Sequence, residues 1–516
     1  MSITNLPLEL LTRICENLEP KDWGAFRVTC RQIHDNTLEA YTARYFRKIT
    51  LLLTPEGLER LEQITTSKTL RSYVEEIWII PNLFENWAKL DRASFTDVLR
   101  PTRLPPTEES KEIEAELEAL FAVFEPAMKK HDAILQFSGL FNSLEKCLPR
   151  LKNAVTLGLR TYDTSFLLKN AAHTDFTCLG LRELKSQFKY KNGPMRSQPM
   201  PYMPYGLAFS QLLNAIIKSN RKVQALHTCG RFFPFCGMKL EQFQLPEAQY
   251  QLLLPILKDL TSLHMCLRLK DHENETFNES TFNNLHKILI TVSPTLKTLT
   301  FAQWSPAEEL SPLYFKDLAQ KVQFSQLEEL HLHSVEVKVN SLEEFLKTAA
   351  PTLKRLTMWL VSLVDEITSV PDPGPLTEDS RIWVSSLSTE VKTEMQELWR
   401  RVFKSWADHL KLQYVQMSNL GYRGRFIMLK DPLYMERGQP DAQLSPGSNL
   451  EFYFDSERAS VSFKEWVTQL QIEMCYPNFN RFGGPKLPGT SNIVIRCPGF
   501  GNIASSVCMY RLPTHM

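Results

Sequence analysis

Two stretches, SPTLKTLTF from Ser293 and APTLKRLTM from Ala350, share one pattern. Each sets a proline before L-x-x-L-x-apolar, and each follows a segment whose apolar residues recur at helical spacing. Proline does not continue a helix, and alternating apolar residues follow it, so each stretch predicts a helix stop and then a strand with one buried side. Weaker copies stand at VEEIWI (Val74), VQALHT (Val223), LTSLHM (Leu260), LEELHL (Leu327) and LQYVQM (Leu412). Taken from Val223 through Leu260, Leu296 and Leu327 to Leu353, the copies start 37, 36, 31 and 26 residues apart. A single strand-and-helix unit of this size cannot bury its own apolar face, so the units must stack side by side.

The segments between the strands predict helices. Ser341 with Glu344 three residues on forms a capping box, Leu342, Phe345, Leu346 and Ala349 make an apolar face, and Pro351 ends it. Ser280 opens another, carrying Phe282, Leu285, Ile288, Leu289 and Val292, which Pro294 closes. A third begins near Gly206 with Phe209, Leu212, Leu213, Ile216 and Ile217. The fold class expected is an α/β solenoid of right-handed βα units. Its spacing overlaps leucine-rich repeats at the short end and exceeds them at the long end. Trp304, Val335 and Val361 stand where typical leucine-rich repeats place an asparagine, so the repeats are irregular and leucine-rich-repeat-like. Insertions are expected near 91–132, 185–205, 369–385 and 431–449, where Pro, Gly and charged residues break the pattern.

Composition limits the partners. With 59 basic and 58 acidic residues the net charge is +1, which advertises neither nucleic acid nor an anionic membrane. No apolar run approaches a membrane span of about 18 residues, and no secretory signal pattern opens the chain. The ten cysteines are scattered without a CxxC pair, which fits a reduced, intracellular protein, cytoplasmic and/or nuclear.

Signatures of catalysis are missing: GxGxxG, the P-loop, the G-x-S-x-G elbow and H-E-x-x-H are all absent from the chain. No catalytic residue, cofactor or metal is therefore expected. His227, Cys229 and Cys236 match no common zinc spacing and fall short of four ligands, so core cysteines beside a loop are the simpler reading. The Met-rich and aromatic stretch from Met195 to Tyr205 reads as loop packing or as an adhesive recognition loop. His331 and His333 alternate on one strand and share its outward side if Leu330 and Leu332 point in. His227, His264 and His331 occupy one template position, which Thr300, Thr357 and Gln416 fill in other copies, so stacking aligns them laterally. Outward strand faces are where stacked repeats bind. The candidate substrate-binding face is therefore His264, Thr298, Thr300, Glu329, His331, Arg355 and Thr357.

The chain opens differently. In LPLELLTRICENL, Pro7 presets φ for a helix start, and Leu6, Leu10, Leu11, Ile14 and Leu18 recur at helical spacing. Asp22 can open a second helix with Trp23, Phe26 and Cys30, and Ile33, Leu38, Tyr41 and Tyr45 suggest a third. Three helices of this length are marginal alone. They must pack against the repeats or against another protein.

The stretch LPLELLTRICENLEPKDWGAFRVTCRQIHD resembles the F-box, with Leu6, Pro7, Glu9, Leu10, Ile14, Leu18, Asp22, Val28 and Cys30 at the typical positions. Trp23, Phe26 and Ile33 replace the usual leucine, leucine and tryptophan, apolar for apolar. The following residues, YFRKITLLLTPEGLERLEQITTSKTLRSYVEEIWI, resemble the junction of fungal F-box proteins with irregular leucine-rich-like regions. The resemblance implies an F-box at 1–47, a helical junction at 48–73 and a substrate-recognition domain at 74–516. It implies docking on a Skp-type adaptor, and through it on a cullin, by Leu6, Pro7, Leu10, Leu11, Ile14, Leu18, Trp23, Phe26, Val28 and Cys30. The function expected is a non-catalytic substrate receptor of an SCF-type ubiquitin ligase with an unidentified protein substrate. The alternatives are a scaffold that promotes no ubiquitylation and an enzyme concealed in the irregular C-terminal region.

Overall fold

All seven template copies form strands, and each strand starts two residues into its copy: Val74 leads to Glu76, Leu327 to Glu329, Leu412 to Tyr414. The computed structural model describes residues 3, 6–18, 20–81, 108–160, 178–187, 203–228, 238–239, 245–268, 279–303, 311–364, 389–418, 420–422, 425–430 and 451–474. The chain divides into two compact units, Met1–Arg268 and Leu269–Met516.

The first unit begins with helices α1 (Leu8–Glu16), α2 (Pro20–Arg27) and α3 (Arg31–Phe46). Helix α2 opens at Pro20 rather than at Asp22, because proline at a first helical position gives up only an N–H that the helix leaves unpaired. After α3 come strand β1 (Lys48–Leu52), α4 (Pro55–Thr66), β2 (Glu76–Ile80), α5 (Glu108–Gln136), α6 (Gly139–Cys147) and β3 (Thr156–Leu159). Then follow β4 (Cys178–Leu179), α7 (Leu181–Gln187), α8 (Met203–Ser219), β5 (Ala225–His227), β6 (Met238–Lys239), α9 (Glu247–Leu257) and β7 (Ser262–Arg268). Residues 48–73, expected as a helical junction, hold strand β1 as well as helix α4. The strands pair in parallel in the order β7, β5, β3, β2, β1, β4, with β6 beside β7. His131 on α5 sets its two ring nitrogens 3.0 Å from the carbonyl oxygens of Leu53 and Pro81, fastening the helix over the ends of β1 and β2.

Within the second unit lie α10 (Glu279–Val292), β8 (Thr298–Gln303), α11 (Ser311–Lys321), β9 (Glu329–His333), β10 (Glu336–Val337), α12 (Val339–Ala349), β11 (Arg355–Trp359) and β12 (Ser362–Leu363). They are followed by α13 (Thr389–His409), β13 (Tyr414–Ser418), β14 (Gly421–Tyr422), β15 (Arg425–Lys430), β16 (Glu451–Asp455), α14 (Phe463–Gln469) and β17 (Gln471–Met474). Strands β8, β9, β11 and β13 are parallel neighbours, and β16 adds to β13 antiparallel. A second ladder joins β10, β12 and β14 in parallel and continues antiparallel through β15 and β17. Helix α12 starts at Val339, not at a Ser341 cap. Val339 and Leu342 are buried on one side of the helix, and that packing draws the first turn upstream and leaves Ser341 buried inside it.

One junction recurs. Just before a strand, a single carbonyl accepts two consecutive amides of the next strand's start: Arg47 from Glu75 and Glu76, Glu75 from Val155 and Thr156, and Gln224 from Thr261 and Ser262. The second unit repeats it at Lys297, Glu328 and Lys354. The junctions satisfy backbone groups at the strand entries and fix the register of neighbouring strands. In that register the inward rows are Leu299, Leu330, Leu356, Val415 and Phe301, Leu332, Met358, Met417, all without exposed surface.

Candidate functional site

The N-terminal helices have a core of their own. Trp23 meets Tyr41 and Tyr45 edge-on, each at 5.5 Å between ring centroids, and Cys15 closes the cluster. Leu18, Phe26, Ala40 and Phe46 pack against it. The Arg27 guanidinium lies 4.1 Å above the Tyr41 ring, and Arg44 donates a 2.9 Å hydrogen bond to the Glu16 carbonyl, tying α3 to α1. Burial pushes the Tyr41 and Tyr45 hydroxyls up and the Arg27 guanidinium down, with the Arg27–Tyr41 contact opposing both Tyr41 and Arg27 shifts.

This core divides the α1 stripe in two. Leu11 and Cys15 point inward with no exposed surface, whereas Leu10 is 48% and Ile14 38% exposed. Leu8 is 50% exposed, Val28 at the turn after α2 is 81% exposed, Pro7 is exposed and Leu6 half-buried. Pro7 is the N-cap, with φ −53°, and its carbonyl accepts the amides of Leu10 and Leu11 at 3.1 Å. The expected docking residues therefore fall into exposed and inward sets. Leu11 and Trp23 are fully internal because the module has to bury them to pack at all, and Leu18 and Phe26 are partly buried against the same cluster. Cys30 caps α3, its sulfur accepting the Ile33 amide at 3.5 Å. Leu8 joins the exposed apolar set. It is the first residue of the helix, three before the buried Leu11, so the sequence period did not mark it as outward.

On the second unit's sheet the outward residues fall into rows by register. Thr298, Glu329, Arg355 and Tyr414 form the first, and Thr300, His331, Thr357 and Gln416 the second. Six of the seven predicted face residues thus stand together. Glu329 sits between Arg355 at 3.4 Å and His331 at 3.7 Å, and Arg355 lies 4.5 Å above the Tyr414 ring. Tyr414 donates to Gln416 at 3.3 Å. Tyr414 was legible from its template phase, two residues before Gln416. His333 and Trp359 lie in a third row with rings 6.0 Å apart, and burial, followed by the nearby His331, pushes the His333 imidazole down to about 4.

His264 departs from this set. It belongs to the first unit and is 6% exposed, stacked at 5.8 Å on His227, which in turn meets Trp78 at 4.9 Å. Gly158 lies between Trp78 and His227 in the register, and a Cβ there would come within 2.8 Å of His227 and 3.0 Å of Trp78. The glycine lets the two rings meet across the strand, and the resulting aromatic row withdraws His264 from water.

Among the described residues no group of three or more His, Cys, Asp or Glu side chains could hold a metal ion. Cys229, Cys236 and the Met195–Tyr202 part of the Met-rich stretch lie outside the described residues, while Tyr205 is a buried residue of α8. No described helix is long and apolar enough to cross a membrane.

Residues 3–35, spanning α1, α2 and the start of α3, match the family described as the F-box domain. No curated protein matches the chain.

Proposed function

We propose that this chain is a non-catalytic substrate-recognition subunit of an SCF-type ubiquitin ligase. The observation that carries the reading is the outward side of α1 within the segment matching the F-box domain: Pro7, Leu10 and Ile14, like Val28 after α2, remain exposed although the module already has a packed aromatic core. Aliphatic residues kept exposed on one side of a small module whose core is formed by other residues mark a protein-binding surface. That surface docks on a Skp-type adaptor, which joins the chain to a cullin. Residues 1–47 are the docking module, 48–73 the junction and 74–516 an irregular leucine-rich-repeat-like solenoid, a reading supported by the recurring carbonyl junction and the repeated template. Protein substrates bind the outward rows of the second unit, where Glu329, His331 and Arg355 offer both signs of charge beside Thr298, Thr300 and Thr357.

The test is affinity purification of the tagged full chain from cells with the proteasome active or blocked. Recovery of a Skp-type adaptor and a cullin, together with proteins that accumulate on the chain only under proteasome block, is the expected result. Preparations lacking adaptor and cullin would overturn the reading, and adaptor without accumulating proteins would favour a scaffold.

A further inference from the structure

A single residue separates the docking module from the sheet. Helix α3 ends at Phe46, strand β1 starts at Lys48, and Arg47 between them is itself helical, with φ −59° and ψ −42°. No glycine, proline or serine loosens this joint, so it lacks the composition of a flexible linker. The Arg47 carbonyl accepts the amides of Glu75 and Glu76, both at 2.9 Å, which makes the joint the first rung of the β1–β2 ladder. The Arg47 guanidinium also meets the Glu75 carboxylate at 2.7 Å, but both side chains are largely exposed, so the main-chain bonds carry more of the connection. Apolar residues flank it on both sides: Phe46 packs on the Trp23–Tyr41–Tyr45 cluster, and Ile49, three residues later, is buried in the sheet. A three-helix module of this size is marginal alone, so its stability must be shared with whatever it is fixed to.

We infer that the Phe46–Lys48 joint makes the docking module and the β1–β2 ladder one cooperative unit, so that adaptor occupancy is felt in the sheet. The inference rests on the adaptor-docking reading for its biological meaning, though the coupling can be measured without any adaptor. Anything that binds only the folded module stabilises every element that opens with it by the same factor. The receptor's first strands would then be held more firmly in the assembled ligase than in the free chain.

Hydrogen exchange on the full-length chain tests this. With a purified Skp-type adaptor at a hundred times its Kd, amides of α3 and of β1–β2 should both slow by about a hundredfold. Inserting six Gly and Ser residues between Phe46 and Arg47 should keep the slowing in α3 and abolish it in β1–β2. Without adaptor, the mild core change Trp23→Phe should speed exchange in α3 and β1–β2 alike, and in the insertion variant in α3 alone. Protection of β1–β2 that ignores both the adaptor and Trp23→Phe while α3 responds would overturn the inference. If the adaptor alters no amide, the docking reading fails, and the Trp23→Phe comparison still decides the coupling.

Discussion

Strands β5 and β7 of the first unit hold His227 and His264 out of water, whereas β9 of the second leaves His331 half-exposed at the same template position. The inward rows hardly differ: Leu226 and Leu263 are buried, as are Leu330 and Leu356. The contrast lies in the outward row. In the first unit it carries Trp78, Gly158, His227 and His264, and the aromatic rings cover one another. In the second it carries hydroxyls and a histidine beside paired charges, which keep contact with water. Whether a sheet row is available to a partner is therefore decided by its lateral neighbours, which stand 26 residues or more away along the chain.

The largest effect is expected where that contrast is attacked directly. His264→Glu places a carboxylate in a buried row without a mate and should cost about 3–5 kcal/mol, while His331→Glu should stay within about 0.5 kcal/mol. Urea unfolding of both variants measures this, and equal losses would break the comparison. Leu330→Ala, on the inward row, should cost about 2–5 kcal/mol by leaving a cavity, and a loss as small as that of His331→Glu would mean that the strand phase is wrong. A further effect is the pH dependence that His333 adds to the second unit. The His333 imidazole is held down to about 4, below its unfolded value of about 6.5, so the folded state resists its protonation. Its contribution is complete above about pH 6.5 and declines as pH falls toward about 4. Melting curves across that window should flatten in His333→Gln, and an unchanged slope would remove His333 from the account.

Much of the strand pattern was legible in the sequence, because L-x-x-L-x-apolar reports a strand with one inward side. Strand β3 escaped: its copy, AVTLGL at Ala154, has alanine for the leading leucine and Gly158 at the histidine position. Strand β1 escaped for another reason. Its four buried residues run consecutively, and a strand covered on both faces loses the alternation by which strands are recognised. The Ser341 capping box was a true local signal that the burial of Val339 overrode. On α1 the periodicity located the helix but could not apportion a broad apolar stripe between two neighbours. Leu10 and Leu11 are adjacent in sequence and point into different surroundings, and only the aromatic core at Trp23 decides which of them is internal.

That division of α1 is also where the functional account is most exposed to test. Leu10→Glu puts a charge on the outward side, where the folded chain leaves Leu10 48% exposed, so thermal unfolding should match the unchanged protein. In a docked complex the same carboxylate would lie in a dry apolar contact and cost several kcal/mol, a loss of binding of a hundredfold or more. Calorimetric titration of a purified Skp-type adaptor into the full-length chain and its Leu10→Glu variant, with a melting curve of each, reads both quantities. Binding by the unchanged chain, weakened a hundredfold or more in Leu10→Glu at the same melting temperature, is the expected result. Undiminished binding by a normally folded Leu10→Glu variant would contradict it.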